Sequence, residues 1–95
     1  MGLHIGILTL DFQLYGCTTL KDKRRRFALL RNEWGRQSDL AVCETGDLED
    51  LGAATWSIAA VGTSPAQIQQ RLDHVEKAIA SRIDAPILDT RFEWA

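Results

Sequence analysis

Cys17 is the residue of this chain closest to a nucleophile, since it stands just before a helix start and Lys21, Lys23 and Arg24 follow it closely, a setting that favours a thiolate. A working nucleophile also needs a base, and neither His4, at the head of the first strand, nor His74, on the second helix, is placed to serve it. The expectation is a structural thiol. Cys17 and Cys43 form no CxxC, and His4 and His74 do not complete a zinc-ligand set of recognisable spacing, so free thiols, no metal and no cofactor are expected. Asp47, Glu49 and Asp50 make an acidic turn whose oxygen spacing fits no cation loop. Its role stays open.

The second chemical feature is a basic run, Lys21, Lys23, Arg24, Arg25 and Arg26, at the start of the first helix. At 3.6 residues per turn, Lys21, Arg25 and Arg36 point away from an apolar stripe of Phe27, Leu30 and Trp34, with Arg24 at its edge and Arg26 on the opposite flank. Such a face can contact phosphates. Its bland counterpart is a solvated surface in which Asp22 pairs with Arg26 and Glu33 offsets Arg36, each worth a few tenths of a kcal/mol. Cations at a helix N-terminus oppose the helix dipole, so local stability does not account for so many of them there, and an anionic partner does. Lys23 falls on the apolar stripe itself. It is expected to lay its stem on the core rim and reach water with its ammonium.

The elements that position these residues can be read from periodicity. Leu3 to Leu14 alternates, with Leu8, Leu10, Phe12 and Leu14 on one side and Thr9, Asp11 and Gln13 on the other, which is a strand. Thr19, followed three residues on by Asp22, is an acidic variant of the capping box, and the helix it opens runs to about Gly35. Leu40 to Glu44 and Ala53 to Val61 are strands. Ser64-Pro65-Ala66-Gln67 caps a second helix, whose stripe is Ile68, Leu72, Val75, Ile79 and Ile83. Ile87 to Trp94 is a last strand in which Leu88, Phe92 and Trp94 share a face. The 95 residues, 45% hydrophobic and 25% charged, suffice for one domain over residues 1–95. A formal net charge of -2 excludes a general polyanion binder, and no segment is apolar enough to span a bilayer, so a cytoplasmic protein without membrane contact is expected.

The order strand, helix, strand, strand, helix, strand is the split βαβ pattern: an α+β, ferredoxin-like βαββαβ sandwich with a four-stranded antiparallel sheet and two helices on one face. Right-handed crossovers put the first and third strands in the centre. The open face then carries Asp11, Gln13, Thr55, Ser57, Asp89, Arg91 and Glu93, with an apolar corner at Ile5, Ile7, Ala59 and Val61. Several activities of such domains lack their residues here. Tyr15-Gly16-Cys17-Thr18 offers no arginine for an acylphosphatase-type site and only one cysteine for a metal carrier. Phe12 and Trp56 face the helices rather than the open face, where an RNA-recognition motif would stack bases.

His4-Ile5-Gly6-Ile7-Leu8-Thr9-Leu10-Asp11, then Gly16-Cys17, then Thr19-Leu20-Lys21-Asp22-Lys23-Arg24, resembles the signature of the YlxP-like family of small bacterial proteins, domain of unknown function 503. The resemblance spans nearly the whole chain. Thr19 stands where the family usually has serine, which keeps the cap, and Tyr15 replaces a usual proline. Trp56 sits deeper in its strand than the tryptophan associated with that region. The resemblance implies a ferredoxin-like fold and, from the translation-related genes that neighbour the family's own, an RNA- or ribosome-associated role. It carries over no catalytic residue.

The resulting expectation is a non-enzymatic accessory protein that touches structured RNA or the ribosome through phosphate contacts from Lys21, Lys23, Arg24, Arg25 and Arg26, with no DNA readout. The alternative is a homodimeric interaction module using the open sheet face around Ile5, Ile7, Ala59 and Val61, or the edge strand Leu40 to Glu44. A cysteine-dependent enzyme comes third.

Overall fold

Leu8, Leu10 and Phe12 alternate with Thr9, Asp11 and Gln13, and in the computed structural model, which describes residues 2–95, that alternation becomes β1 (His4–Gln13) with its apolar side sealed beneath the helices. The chain continues through α1 (Leu20–Arg26), α2 (Ala28–Asn32), a single 3-10 turn at Trp34–Arg36, β2 (Leu40–Gly46), β3 (Ala53–Gly62), α3 (Pro65–Arg82) and β4 (Ile87–Trp94). The architecture is α+β, with a four-stranded sheet in the order β2-β3-β1-β4. Every neighbouring pair is antiparallel. The two central strands pair over their full length, from His4 opposite Gly62 to Gln13 opposite Ala53.

One sheet face carries the helices and the core. Leu8, Leu10 and Phe12 of β1 and Ala54, Trp56, Ile58 and Ala60 of β3 meet Phe27, Leu30 and Trp34 from one side and Ile68, Leu72, Val75 and Ile79 of α3 from the other. Each fully buried large side chain contributes about 1.5–3 kcal/mol. Gly6 lets α3 sit this close. A Cβ there would lie 2.8 Å from Ile68 Cγ2 and 3.1 Å from the Phe92 ring. α3 starts as its sequence dictates, with the Ser64 hydroxyl accepting from the Gln67 amide at 3.4 Å and Pro65 at its first position.

The first helical segment departs from the expected continuous helix. The backbone leaves helical geometry at Phe27 (φ -104°, ψ 12°), which ends α1 and precedes α2. Phe27 is wedged between Phe12, 5.0 Å between ring centroids, and Trp56, 5.5 Å. The Arg31 guanidinium takes up the Arg24 carbonyl, 2.8 Å away, which the break would otherwise leave to solvent. The expected pair of helices is therefore three α-helices and a 3-10 turn. Lys23, Arg24, Arg25 and Arg26 therefore occupy the last turn of a short helix, where the helix dipole favours positive charge instead of opposing it.

β4 also departs from its expected pattern. Its register with β1 shifts between Asp11 and Phe12, so Ile87 lies opposite Phe12, Asp89 opposite Asp11, and Leu88 is bulged out. Leu88 is 62% exposed, whereas Ile87 packs on the core in its place. The uncovered face is laced by polar contacts. Thr9, Ser57 and Thr45 join through their hydroxyls at 3.2 and 2.8 Å, and Asp11 accepts from Thr55 at 2.8 Å and from Arg91 at 2.5 Å. Among the described residues, no helix is long and apolar enough to cross a membrane.

Candidate functional site

The loop after β1 turns at Gly16, whose φ of 77° lies in the left-handed region that glycine adopts without strain. Thr19 then caps α1, its hydroxyl accepting from the Asp22 amide at 3.1 Å. The reciprocal half of the box is displaced by one residue. The Asp22 carboxylate accepts from the Thr18 hydroxyl at 3.0 Å and from its backbone, which holds its pKa below the usual carboxylate value. Cys17 is half-buried against the core, Cys43 is exposed on β2, and the two are free thiols.

Lys23 does not reach solvent. It is 2% exposed, and its ammonium is aimed at the tight turn after β2, where it donates to the carbonyls of Asp47, at a short contact, and Asp50, at 2.7 Å, with that of Leu48 at 3.4 Å. The Glu44 carboxylate stands 3.1 Å from the same nitrogen. That oxygen makes no directed hydrogen bond, so the contact is Coulombic, with the ammonium protons turned to the carbonyls. Asp47 is held at φ 57°, a left-handed conformation that aspartate tolerates. Lys23 is thus the internal cation of the acidic turn, which corrects both its expected place at the water-facing rim and its place among phosphate contacts. The oxygen cage explains why a lysine sits on an apolar stripe.

The rest of the basic run divides in the same way. Arg26 is half-buried and donates to the carbonyls of Asp84, at 2.9 Å, and Tyr15, at 3.1 Å, tying α1 to the loops before β4 and after β1. The expected Asp22–Arg26 pair is absent among the described contacts. Glu33 pairs with Arg82 at 2.6 Å rather than with Arg36, and the Arg82 guanidinium lies 5.5 Å over the Trp34 ring. Lys21, Arg24 and Arg25 are exposed, share one face at the i, i+3 and i+4 spacing, and have no ion pair among the described residues. Beside them is a shallow groove where Arg25, Arg26 and Arg82 meet, but Asp22 and Asp84 also line it and oppose an anion inside it.

The apolar corner assembles as the register requires: Ile5 opposite Val61 and Ile7 opposite Ala59, all on the uncovered face. Ile5, Ile7 and Ala59 are half-buried and Val61 is 45% exposed. Among the described residues, no group of three His, Cys, Asp or Glu side chains is placed to hold a metal ion. Sequence reasoning missed two partners that only the fold brings together: the acidic turn as acceptor for Lys23, and Tyr15 with Asp84 for Arg26. The signal available was the lysine inside an apolar stripe.

Comparison with curated proteins gives no match. A family model described as protein of unknown function matches residues 5–92, nearly the whole of this sequence. The chain belongs to the DUF503 family.

Proposed function

We propose that this protein is a ferredoxin-like, non-enzymatic, cytoplasmic accessory factor that binds structured RNA or the ribosome through the exposed face of α1. The observation that carries this reading is the division of the basic run. Lys23 and Arg26 are consumed by backbone carbonyls, while Lys21, Arg24 and Arg25 remain solvent-facing and form no close ion pair among the described residues, Arg25 acting on Asp22 only at longer range. Arranged within about one helical turn, these three cations can follow a run of phosphates without reading bases. The fold assignment rests on the order β2-β3-β1-β4 with helices between β1 and β2 and between β3 and β4. The resemblance to YlxP-like proteins, whose genes lie among translation genes, supports the choice of RNA over other polyanions.

The test is retention of the protein by purified ribosomal subunits and by total RNA across a salt series. Binding through three phosphates weakens with salt at a log-log slope of roughly -2 to -3, and the Lys21→Ala, Arg24→Ala, Arg25→Ala variant loses it without a change in melting temperature. Equal retention of the triple variant would falsify the assignment of this face.

A further inference from the structure

We propose that the free edge of β2 pairs antiparallel with β2 of a second copy of this chain, about a two-fold axis at Val42, to give one continuous eight-stranded sheet.

The two edges of the sheet are built differently. β4 is interrupted by the bulge at Leu88 and carries three exposed charged residues, Asp89, Arg91 and Glu93. β2 is the less protected edge, its bulge falling only after Glu44. It contains no proline and no cation, its register with β3 is regular until after Glu44, and its one charge, Glu44, is turned inward to Lys23. Such an edge is a template for another strand.

The phase of its backbone is fixed by the neighbouring ladder. The Val61 amide donates to the Asp39 carbonyl at 3.1 Å, so Asp39, Ala41 and Cys43 turn their backbone groups toward β3, and Leu40, Val42 and Glu44 turn theirs outward. The Leu40 amide returns to Gln37 at 3.1 Å, and the Glu44 carbonyl meets only the Cys43 thiol, a weak donor at 3.4 Å. Val42 therefore offers both an unused N–H and an unused C=O. A two-fold axis at Val42 lets the two copies exchange both bonds there and pairs the Glu44 amide with the partner's Leu40 carbonyl.

Charge selects both the occupant and the register. β2 is preceded by Arg36, exposed and without an ion pair among the described residues, and followed by the exposed carboxylates of Asp47 and Glu49. Antiparallel self-pairing brings the basic flank of each copy to the acidic flank of the other, at both ends of the junction. The register centred on Cys43 instead sets Asp39 against Asp47, a like-charge contact that the Val42 register avoids by placing Asp39 opposite Thr45, although it also sets Arg36 against Asp50. The inference does not depend on RNA binding.

The test uses Cys43 as a reporter in a Cys17→Ser background. With the axis at Val42, residue 41 of one copy faces residue 43 of the other as a non-hydrogen-bonded pair, the geometry that accepts a disulfide. Ala41→Cys should then form a covalent dimer on mild oxidation, whereas the parent carrying Cys43 alone should not, because its two thiols are staggered. Val42→Pro removes the free edge donor and trims a side chain that packs on the core. It is therefore read only where circular dichroism shows the folded chain, and there it should sediment as a monomer where the wild type sediments at twice that mass. A wild type that is monomeric at every concentration, or equal cross-linking with and without Ala41→Cys, would overturn the proposal.

Discussion

Lys23 of α1 and Glu44 of β2 stand 3.1 Å apart inside the protein, with the lysine ammonium also enclosed by carbonyls of the turn that follows β2. The helix is thereby fastened to the far end of the β2–β3 hairpin. A charge taken out of water here is compensated by several oxygens at once, so the arrangement fails sharply when the nitrogen is removed.

Lys23→Met is expected to destabilise the protein by about 3 kcal/mol or more, because Glu44 and the turn carbonyls lose their partner. For a chain of this size that is a fall in Tm of roughly 12 °C or more. The double variant Lys23→Met, Glu44→Met should lose less than the sum of the single variants in thermal denaturation. Strict additivity would show that the two side chains do not interact.

The bulge in β4 makes a paired prediction. Leu88→Ser should shift stability by no more than about 0.5 kcal/mol, since the side chain is already in water. Ile87→Ser should cost about 2 kcal/mol, since this residue packs on the core. Urea unfolding of the two variants distinguishes this register from an unbulged one, in which the order of the two effects reverses.

Gly6 marks the contact between β1 and α3. Gly6→Ala should destabilise by about 1–3 kcal/mol, because the new methyl meets Ile68 and Phe92. Adding Ile68→Ala should relieve part of that strain, so the pair costs less than the two changes summed. Equal or greater cost would place the clash elsewhere.

Acid should weaken the fold through named carboxylates. Arg91 and Thr55 hold Asp11, and Arg71 holds Asp39, below the usual carboxylate pKa. A group whose folded pKa is lowered stabilises the protein fully above its unfolded value, near 4, and loses that contribution as pH falls through the lowered folded value. Asp39→Asn should therefore flatten the fall of Tm below about pH 4 while reducing Tm at neutral pH. An unchanged acid limb in melting curves would remove Asp39 from this role.

Much of this structure was legible from residue order. The alternation in β1 and β3, the Ser64-Pro65 cap and the long stripe of α3 each encode their element locally, so each formed where expected. The illegible parts are those decided by distant partners. Phe27, Leu30 and Trp34 read as one stripe, and nothing local reports the break at Phe27, which comes with its insertion between Phe12 and Trp56. A single bulged residue exchanges Ile87 and Leu88 between faces, and alternation alone cannot show where the count slips. The basic run was visible at once. Its division was not, because the acceptors of Lys23 and Arg26 are backbone carbonyls of distant turns, and a carbonyl has no signature in the sequence.

The division of the basic run is tested most directly by two variants read by two methods. Melting temperature and ribosomal-subunit retention at low salt would be measured for Lys23→Met and for the Lys21→Ala, Arg24→Ala, Arg25→Ala variant. The first is expected to melt well below the wild type and, at temperatures where it is folded, still to bind, while the triple variant melts with the wild type and does not bind. Loss of binding in folded Lys23→Met with full binding by the triple variant would contradict it.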